Sequence, residues 1–222
     1  LLQREGGGEF SIPTTTVIAV GDIMLSRNVG AKIDKAGDPS LPFAMLNSIL
    51  RDADITFGNL ECPLSDSTVP VREGLVFRCL TKHFSGVVDS GFDVLSTANN
   101  HSFDQGRDNI DFTVEYLKSH DILPVGTTPS LLQGEGGGEV IEHDGIRFGF
   151  LAYSYSARND GRNTTDPQIA TMDIDQMKTD VTALKTAADV IIVSMHAGIE
   201  YTRHPSQTQI DFAHAAIDAG AD

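Results

Sequence analysis

Four short apolar runs, each ending abruptly in residues able to hold a metal, constrain this chain more than any other feature. Val17-Ile18-Ala19-Val20 runs into Gly21-Asp22, and Ile55-Thr56-Phe57 runs into Gly58-Asn59-Leu60-Glu61. Phe92-Asp93-Val94-Leu95 leads to Ala98-Asn99-Asn100-His101, and Val190-Ile191-Ile192-Val193 leads to Ser194-Met195-His196. Runs this short, β-branched and nearly all apolar read as strands buried on both faces, the kind found in parallel sheets. In open α/β sheets ligands bind beyond the carboxyl ends of the strands. The four polar tails are therefore expected to converge on one rim rich in carboxylates, carboxamides and imidazoles.

Helical patterns separate these runs. Helices are predicted around Pro42–Leu50, Lys82–Ser90 (with Phe84, Val87 and Val88 on one face) and Arg107–His120 (with Ile110, Val114 and Leu117). Two more are predicted at Ile174–Ala187 and Pro205–Ala219. Ile122–Val125 reads as a short strand. Val140-Ile141 and Ile146–Tyr153 read as a hairpin, because the Asp144-Gly145 pair between them is a strong turn signal. Strand–helix alternation predicts a layered, largely parallel α/β domain with one antiparallel element. Leu1–Thr15 is polar and carries Gly6-Gly7-Gly8, so it reads as a flexible tail preceding a domain over 16–222. A second glycine triplet, Gly136-Gly137-Gly138, is not followed by Gly-Lys-Ser/Thr and reads as a surface loop, not a phosphate cradle. The last helix has no strand after it, so the domain is expected to lack its last strands.

The chain of 222 residues, 40% hydrophobic, suffices for one sizeable core. A formal net charge of −15 repels a phosphate backbone, which argues against a nucleic-acid partner. An anionic substrate would instead need locally supplied positive charge, which metal ions provide. Cys62 and Cys79 are too few for a disulfide framework and read as small buried hydrophobes. No apolar stretch approaches the roughly 18 residues of a membrane span. The chain opens with Leu1, so a removed leader or anchor stays open, and with it a cytoplasmic or an anchored extracytoplasmic location.

The rim residues suit oxygen- and nitrogen-ligated metals: Mn, Fe or Zn rather than Ca or a thiolate-selected ion. Asp22 follows a strand and a glycine, although aspartate in such a turn is often only a turn former. Asn59 and Glu61 lie two apart, on one side of an extended strand. Adjacent carboxamides and an imidazole in Asn99-Asn100-His101 are costly to bury without partners. His196 ends the most apolar strand. Two ions about 4 Å apart sharing a carboxylate would polarise a phosphoryl group, leaving His101 free for general-acid work. Asp104 either orients that imidazole or caps the helix that follows. Arg78, Tyr201 and Arg203 join Asn59 as candidate substrate contacts. His83, His120, His143, His204 and His214 are expected at the surface.

At these residues the sequence resembles the capsule-synthesis CapA (poly-γ-glutamate biosynthesis) family of the calcineurin-like metallophosphoesterase superfamily. The resemblance runs through Gly21-Asp22-Ile23-Met24, Asn59-Leu60-Glu61-Cys62-Pro63-Leu64 and Gly91-Phe92-Asp93-Val94. It continues in Ala98-Asn99-Asn100-His101-Ser102-Phe103-Asp104, Gly145-Ile146-Arg147-Phe148-Gly149-Phe150-Leu151, His196-Ala197-Gly198-Ile199-Glu200-Tyr201 and Ile217-Asp218-Ala219-Gly220-Ala221-Asp222. It implies a four-layer α/β/β/α sandwich with two divalent ions at the strand ends. Asp22 would then bind the first ion, Glu61 would bridge, Asn100 and His196 would bind the second, and His101 would donate a proton. It also implies a phosphorylated or polyanionic small molecule or polymer as substrate, and a capsule-synthesis membrane complex as partner. The enzymatic reading is a phosphoester hydrolase; the alternative is a non-catalytic component of capsular polymer assembly or export. Two departures weaken the expected site. Met24 stands where the superfamily carries a histidine, and the family's later Gly-His-x-x-His strand lies outside these 222 residues.

Overall fold

The computed structural model describes residues 3–4, 10–11, 14–67, 74–127, 138–155 and 169–222. Two short strands, β1 (Gln3–Arg4) and β2 (Phe10–Ser11), pair antiparallel as a small ribbon. The rest of the expected tail up to residue 13, and the mid-chain glycine segment up to residue 137, lie outside the described residues.

The domain proper is built on two sheets. The first is all parallel, in the order β3 (Val17–Ile23), β4 (Ile55–Leu60), β5 (Val94–Ser96), β6 (Leu123–Val125). The second has the order β7 (Glu139–His143), β8 (Ile146–Ser154), β9 (Val190–His196), with the β7–β8 hairpin antiparallel and β8–β9 parallel. Asp144 and Gly145 both adopt positive φ at the hairpin turn, as an Asp-Gly pair readily does.

Apolar side chains sort into three layers of packing, and these define four layers of structure. Ile55, Phe57, Val94 and Val125 meet Phe148, Phe150 and Ala152 between the sheets, where the Phe57 and Phe150 rings stack with centroids 5.7 Å apart. On the outer side of the first sheet lie α1 (Arg27–Ala36), α2 (Asn47–Arg51), α3 (Thr81–Asp89) and α4 (Asp108–Lys118). They bury Ile33, Leu50, Phe84, Val87 and Leu117 against Ile23, Leu60 and Leu95. On the outer side of the second sheet lie α5 (Ile174–Leu184) and α6 (Gln207–Ala219), which bury Met177, Val181, Leu184 and Phe212 against Leu151, Tyr153 and Ile191. This is the expected α/β/β/α sandwich.

Three expectations need correction. The strand runs are not all buried on both faces: β4 and β5 are, but β3 and β9 are edge strands and stay partly exposed. The first strand is followed by α1, which the apolar pattern does not announce. The helix expected at Pro42–Leu50 is instead a 3-10 turn, Leu41–Phe43, followed by the short α2. His83 is buried rather than at the surface, with Nε2 2.9 Å from Asp34 Oδ1. Cys62 and Cys79 are free thiols and fully buried. Among the described residues, no helix is long and apolar enough to cross a membrane.

Gly86 marks a close approach between α3 and the turn that follows α1: a methyl group there would run into the Pro39 carbonyl. Gly86→Ala is therefore expected to lower stability by about 1–3 kcal/mol, the usual cost of overpacking. The check is the urea midpoint, which should fall while the slope stays unchanged.

Candidate metal centre

Strands β3, β4 and β9 and the loop after β5 end at one rim, as parallel topology requires. β3 carries one extra residue relative to β4: Ala19 lies opposite Phe57, but Asp22 lies opposite Asn59. This register shift precedes Asp22 and sets the face on which its carboxylate emerges. Glu61 N–H donates to Ile23 O at 3.0 Å, which ties the first residue after β4 back to β3. His196 is the last residue of β9, paired in register with Ser154.

Asp22, Glu61 and His196 each offer a ligand atom, all within 4.8 Å of one another. His196 faces two ways. Its Nε2 lies 2.8 Å from Asn100 Oδ1 and 3.6 Å from Glu61 Oε1. Its Nδ1 lies 3.3 Å from Asp22 Oδ1 and 3.1 Å from Asn59 Nδ2. The four residues expected at the metal, Asp22, Glu61, Asn100 and His196, are thus brought together from four separate chain segments. The mixed oxygen and nitrogen donors fit a divalent ion such as Mn, Fe or Zn.

Asn59 lies inside this cluster. Its Nδ2 donates to Asp22 Oδ1 at 2.7 Å, and its Oδ1 accepts from Asn99 Nδ2 at 3.2 Å. Asn99 cannot turn over freely: its Nδ2 also donates to Leu60 O, and its Oδ1 accepts the His101 N–H. Two linked carboxamides therefore fix which end of Asn59 looks at the site, and that end is a donor.

His101 sits at the edge of the cluster, with Nε2 4.0 Å from Glu61 Oε1. Its Nδ1 is 2.7 Å from Asp104 Oδ2, and Asp104 also accepts the Phe77 N–H at 2.6 Å. The two readings of Asp104 are now separable. It is fully buried against the imidazole, and α4 starts later, with Arg107 at its cap position. The Phe77 ring stacks on His101 with centroids 3.8 Å apart, and Gln105 Nε2 holds the Phe77 carbonyl at 2.9 Å. Phe77 was invisible in the sequence because 74–80 has no strand or helix periodicity.

The other proposed contacts stand apart. Arg78 donates from its backbone to Ser26 Oγ and from its guanidinium to Ser67 O. Tyr201 and Arg203 are exposed in the loop after β9, Tyr201 at positive φ. Met24, at the position of the missing histidine, packs on the core, and its sulfur accepts the Ser26 N–H at 3.2 Å.

The pKa values of the two carboxylates are shifted in opposite directions. The hydrogen bond from His196 draws Asp22 below its ordinary value of 3.8, outweighing partial burial, with Asn59 assisting. Burial pushes Glu61 above its ordinary 4.5, and the Asp22 charge adds to this, while His196 and His101 oppose it.

Comparison with known proteins places this geometry. The model of the bacterial capsule synthesis protein family, PGA_cap, matches residues 16–222. The chain belongs to that family. It is 27% identical over 218 residues to the capsule biosynthesis protein CapA of Bacillus anthracis, covering 93% of this chain and 52% of the relative. To the PGA biosynthesis protein CapA of Bacillus subtilis it is 28% identical over 206 residues, covering 91% and 54%. The chain spans about half the length of the curated relatives it matches. A phosphatase from Mycoplasma pneumoniae superposes with a TM-score of 0.55 at 18% identity, covering 94% of this chain and 62% of that one. A protein from Staphylococcus aureus described as a 5′-nucleotidase superposes with a TM-score of 0.52 at 16% identity, covering 93% and 42%. At such identities the likeness is one of fold, and the fold is the metallophosphoesterase sandwich.

The opposed carboxylates give a signed expectation for the metal-free protein. At neutral pH the folded state carries the Glu61 charge at a cost, relieved as pH falls through the raised pKa, so Glu61→Gln should raise Tm at pH 7 and lose that gain in acid. The Asp22 contribution is favourable above 3.8 and is lost as pH falls through its depressed value, so Asp22→Asn should lower Tm at pH 7. Thermal melts across pH 3–7 in chelator test both signs.

Proposed function

We propose that the chain hydrolyses a phosphoester, with the help of a bound divalent metal, in the assembly or turnover of a capsular polymer. The observation carrying this reading is the meeting of Asp22, Glu61, Asn100 and His196 beside a buried, oriented His101–Asp104 pair. A divalent ion at such a donor set supplies Lewis-acid polarisation of a phosphoryl group and a hydroxide nucleophile at neutral pH.

The remaining tasks fall to the protein. Asp104 holds the Nδ1–H of His101, so Nε2 is the nitrogen presented to the cluster, where it can deliver a proton to a leaving oxygen. The Asp104 carboxylate stabilises the imidazolium from which that proton comes. Phe77 clamps the ring plane against rotation. The substrate class that suits the site is phosphorylated or polyanionic, and a membrane complex of polymer synthesis would supply it.

A second reading has one observation in its favour. Met24 puts a core thioether where the superfamily has an imidazole, so the site can be structural or vestigial in a non-catalytic component of polymer assembly or export.

Hydrolysis of an aryl phosphate with added manganese separates the two. Activity should be present and fall by at least about 100-fold in an Asn100→Ala, His196→Ala double variant; activity that is absent, or unchanged in that variant, sinks the hydrolase reading. His101→Gln should cost about 100-fold or more on an alkyl phosphate, whose leaving oxygen needs a proton, and far less on a nitrophenyl phosphate. Equal losses on both substrates would remove His101 from the acid role.

A further inference from the structure

We infer that the described residues hold one divalent ion and not two: Glu61, Asn100 and Nε2 of His196 are its ligands, and Asp22 stands behind them as acceptor for the proton on His196 Nδ1. This rests on the reading that the site takes a metal, and it does not depend on hydrolysis.

The argument turns on the single lone pair of a neutral imidazole. His196 Nε2 is the nitrogen beside both Asn100 Oδ1, at 2.8 Å, and Glu61 Oε1, at 3.6 Å. Without an ion, Nε2 must carry a hydrogen and donate it to Asn100, since two acceptors at that distance would repel. Nδ1 faces Asn59 Nδ2 at 3.1 Å and Asp22 Oδ1 at 3.3 Å. When Nε2 gives its lone pair to an ion, the hydrogen moves to Nδ1 and needs an acceptor there.

Asn59 cannot be that acceptor. Its oxygen is turned away to Asn99 Nδ2, and Asn99 is fixed in turn by Leu60 O and the His101 N–H. The group left is Asp22 Oδ1, 3.3 Å from Nδ1. A carboxylate behind a metal-bound imidazole, fixing its tautomer and orientation, is a recurrent arrangement in metal sites. Asn59 serves it as a positioning residue, holding Asp22 Oδ1 at 2.7 Å.

On the Asp22 side a second ion finds little. The Met24 sulfur is turned to the Ser26 amide, and among the described residues the group of His, Cys, Asp and Glu able to hold a metal consists of Asp22, Glu61 and His196. With His196 committed through Nε2 and Asp22 through Nδ1–H, the carboxylate left in that group is Glu61, which the first ion already takes. Two ions need more donors than this.

The test is a count. The 222-residue chain, stripped with chelator, is titrated with Mn²⁺ and followed by calorimetry, elemental analysis and electron paramagnetic resonance. One ion per chain, with the spectrum of an isolated Mn²⁺, is the expected result. Asp22→Ala should keep that stoichiometry and bind about 10–100-fold more weakly, as loss of a backing carboxylate does, whereas Glu61→Gln should lose the ion. Two ions with a spin-coupled spectrum overturn the inference, as does no ion at all, or an Asp22→Ala variant whose affinity is unchanged. The wild-type count decides even if a variant fails to fold. Phosphatase assays on the same sample keep the two ideas apart, because one bound ion without hydrolysis sinks the hydrolase reading alone.

Discussion

β4 is the strand on which the rim depends. Every residue from Ile55 to Leu60 is buried, and parallel partners flank it on both sides. Gly58 lies so close to Ile23, Val20 and Phe92 that a methyl group would collide with their side chains. A strand pinned this tightly cannot slide, so Asn59 and Glu61 arrive at one height relative to Asp22 and the loop at 97–104. The polar residues at its end are affordable because each is answered. Asn59 bonds Asp22 and Asn99, and Glu61 has its backbone on β3 and its carboxylate facing two imidazoles.

From that anchor the site divides into two halves. One is a chain of carboxamides and carboxylates, Asn99 to Asn59 to Asp22, that ends on His196. The other is the stack of Phe77, His101 and Asp104, which hangs on backbone donors and ring contact. Glu61 lies between the halves, facing an imidazole on each side. Its raised pKa reflects burial first and the nearby Asp22 charge second, a cost of charging that a bound cation would offset.

Much of this was legible from residues alone. Buried strands end where hydrophobicity stops, so the four runs located the rim, and the stripes of α3 and α4 and the spans of α5 and α6 emerged near the predicted places. The four-layer arrangement came from family resemblance, and the two-sided burial of β8 makes it intelligible afterwards. α1 escaped because it buries little beyond Gly30 and Ile33, and a helix whose contact is one glycine and one isoleucine leaves no stripe. Its ends were nevertheless marked, by Ser26 before it and by Gly37 in the left-handed conformation after it. For Asn59, a carboxamide near a carboxylate reads equally well as ligand, donor or contact. Only its hydrogen bond to Asn99 shows which end is presented. The charge of Arg78 and Arg203 and the ring of Tyr201 do not by themselves say where a loop side chain goes.

The extra residue in β3 has a consequence for how this rim can change. Asp22 owes its position to a count along the strand, since the offset between Ala19 and Asp22 shifts all that follows by one place. If β3 kept its length but lost that offset, Gly21 would lie opposite Asn59 and Asp22 would turn to the opposite face, with every functional side chain still present in the sequence. Such a change is silent to any inspection of residue identities. Among relatives of this chain, spacing between the first strand and its aspartate is thus as informative as the aspartate itself.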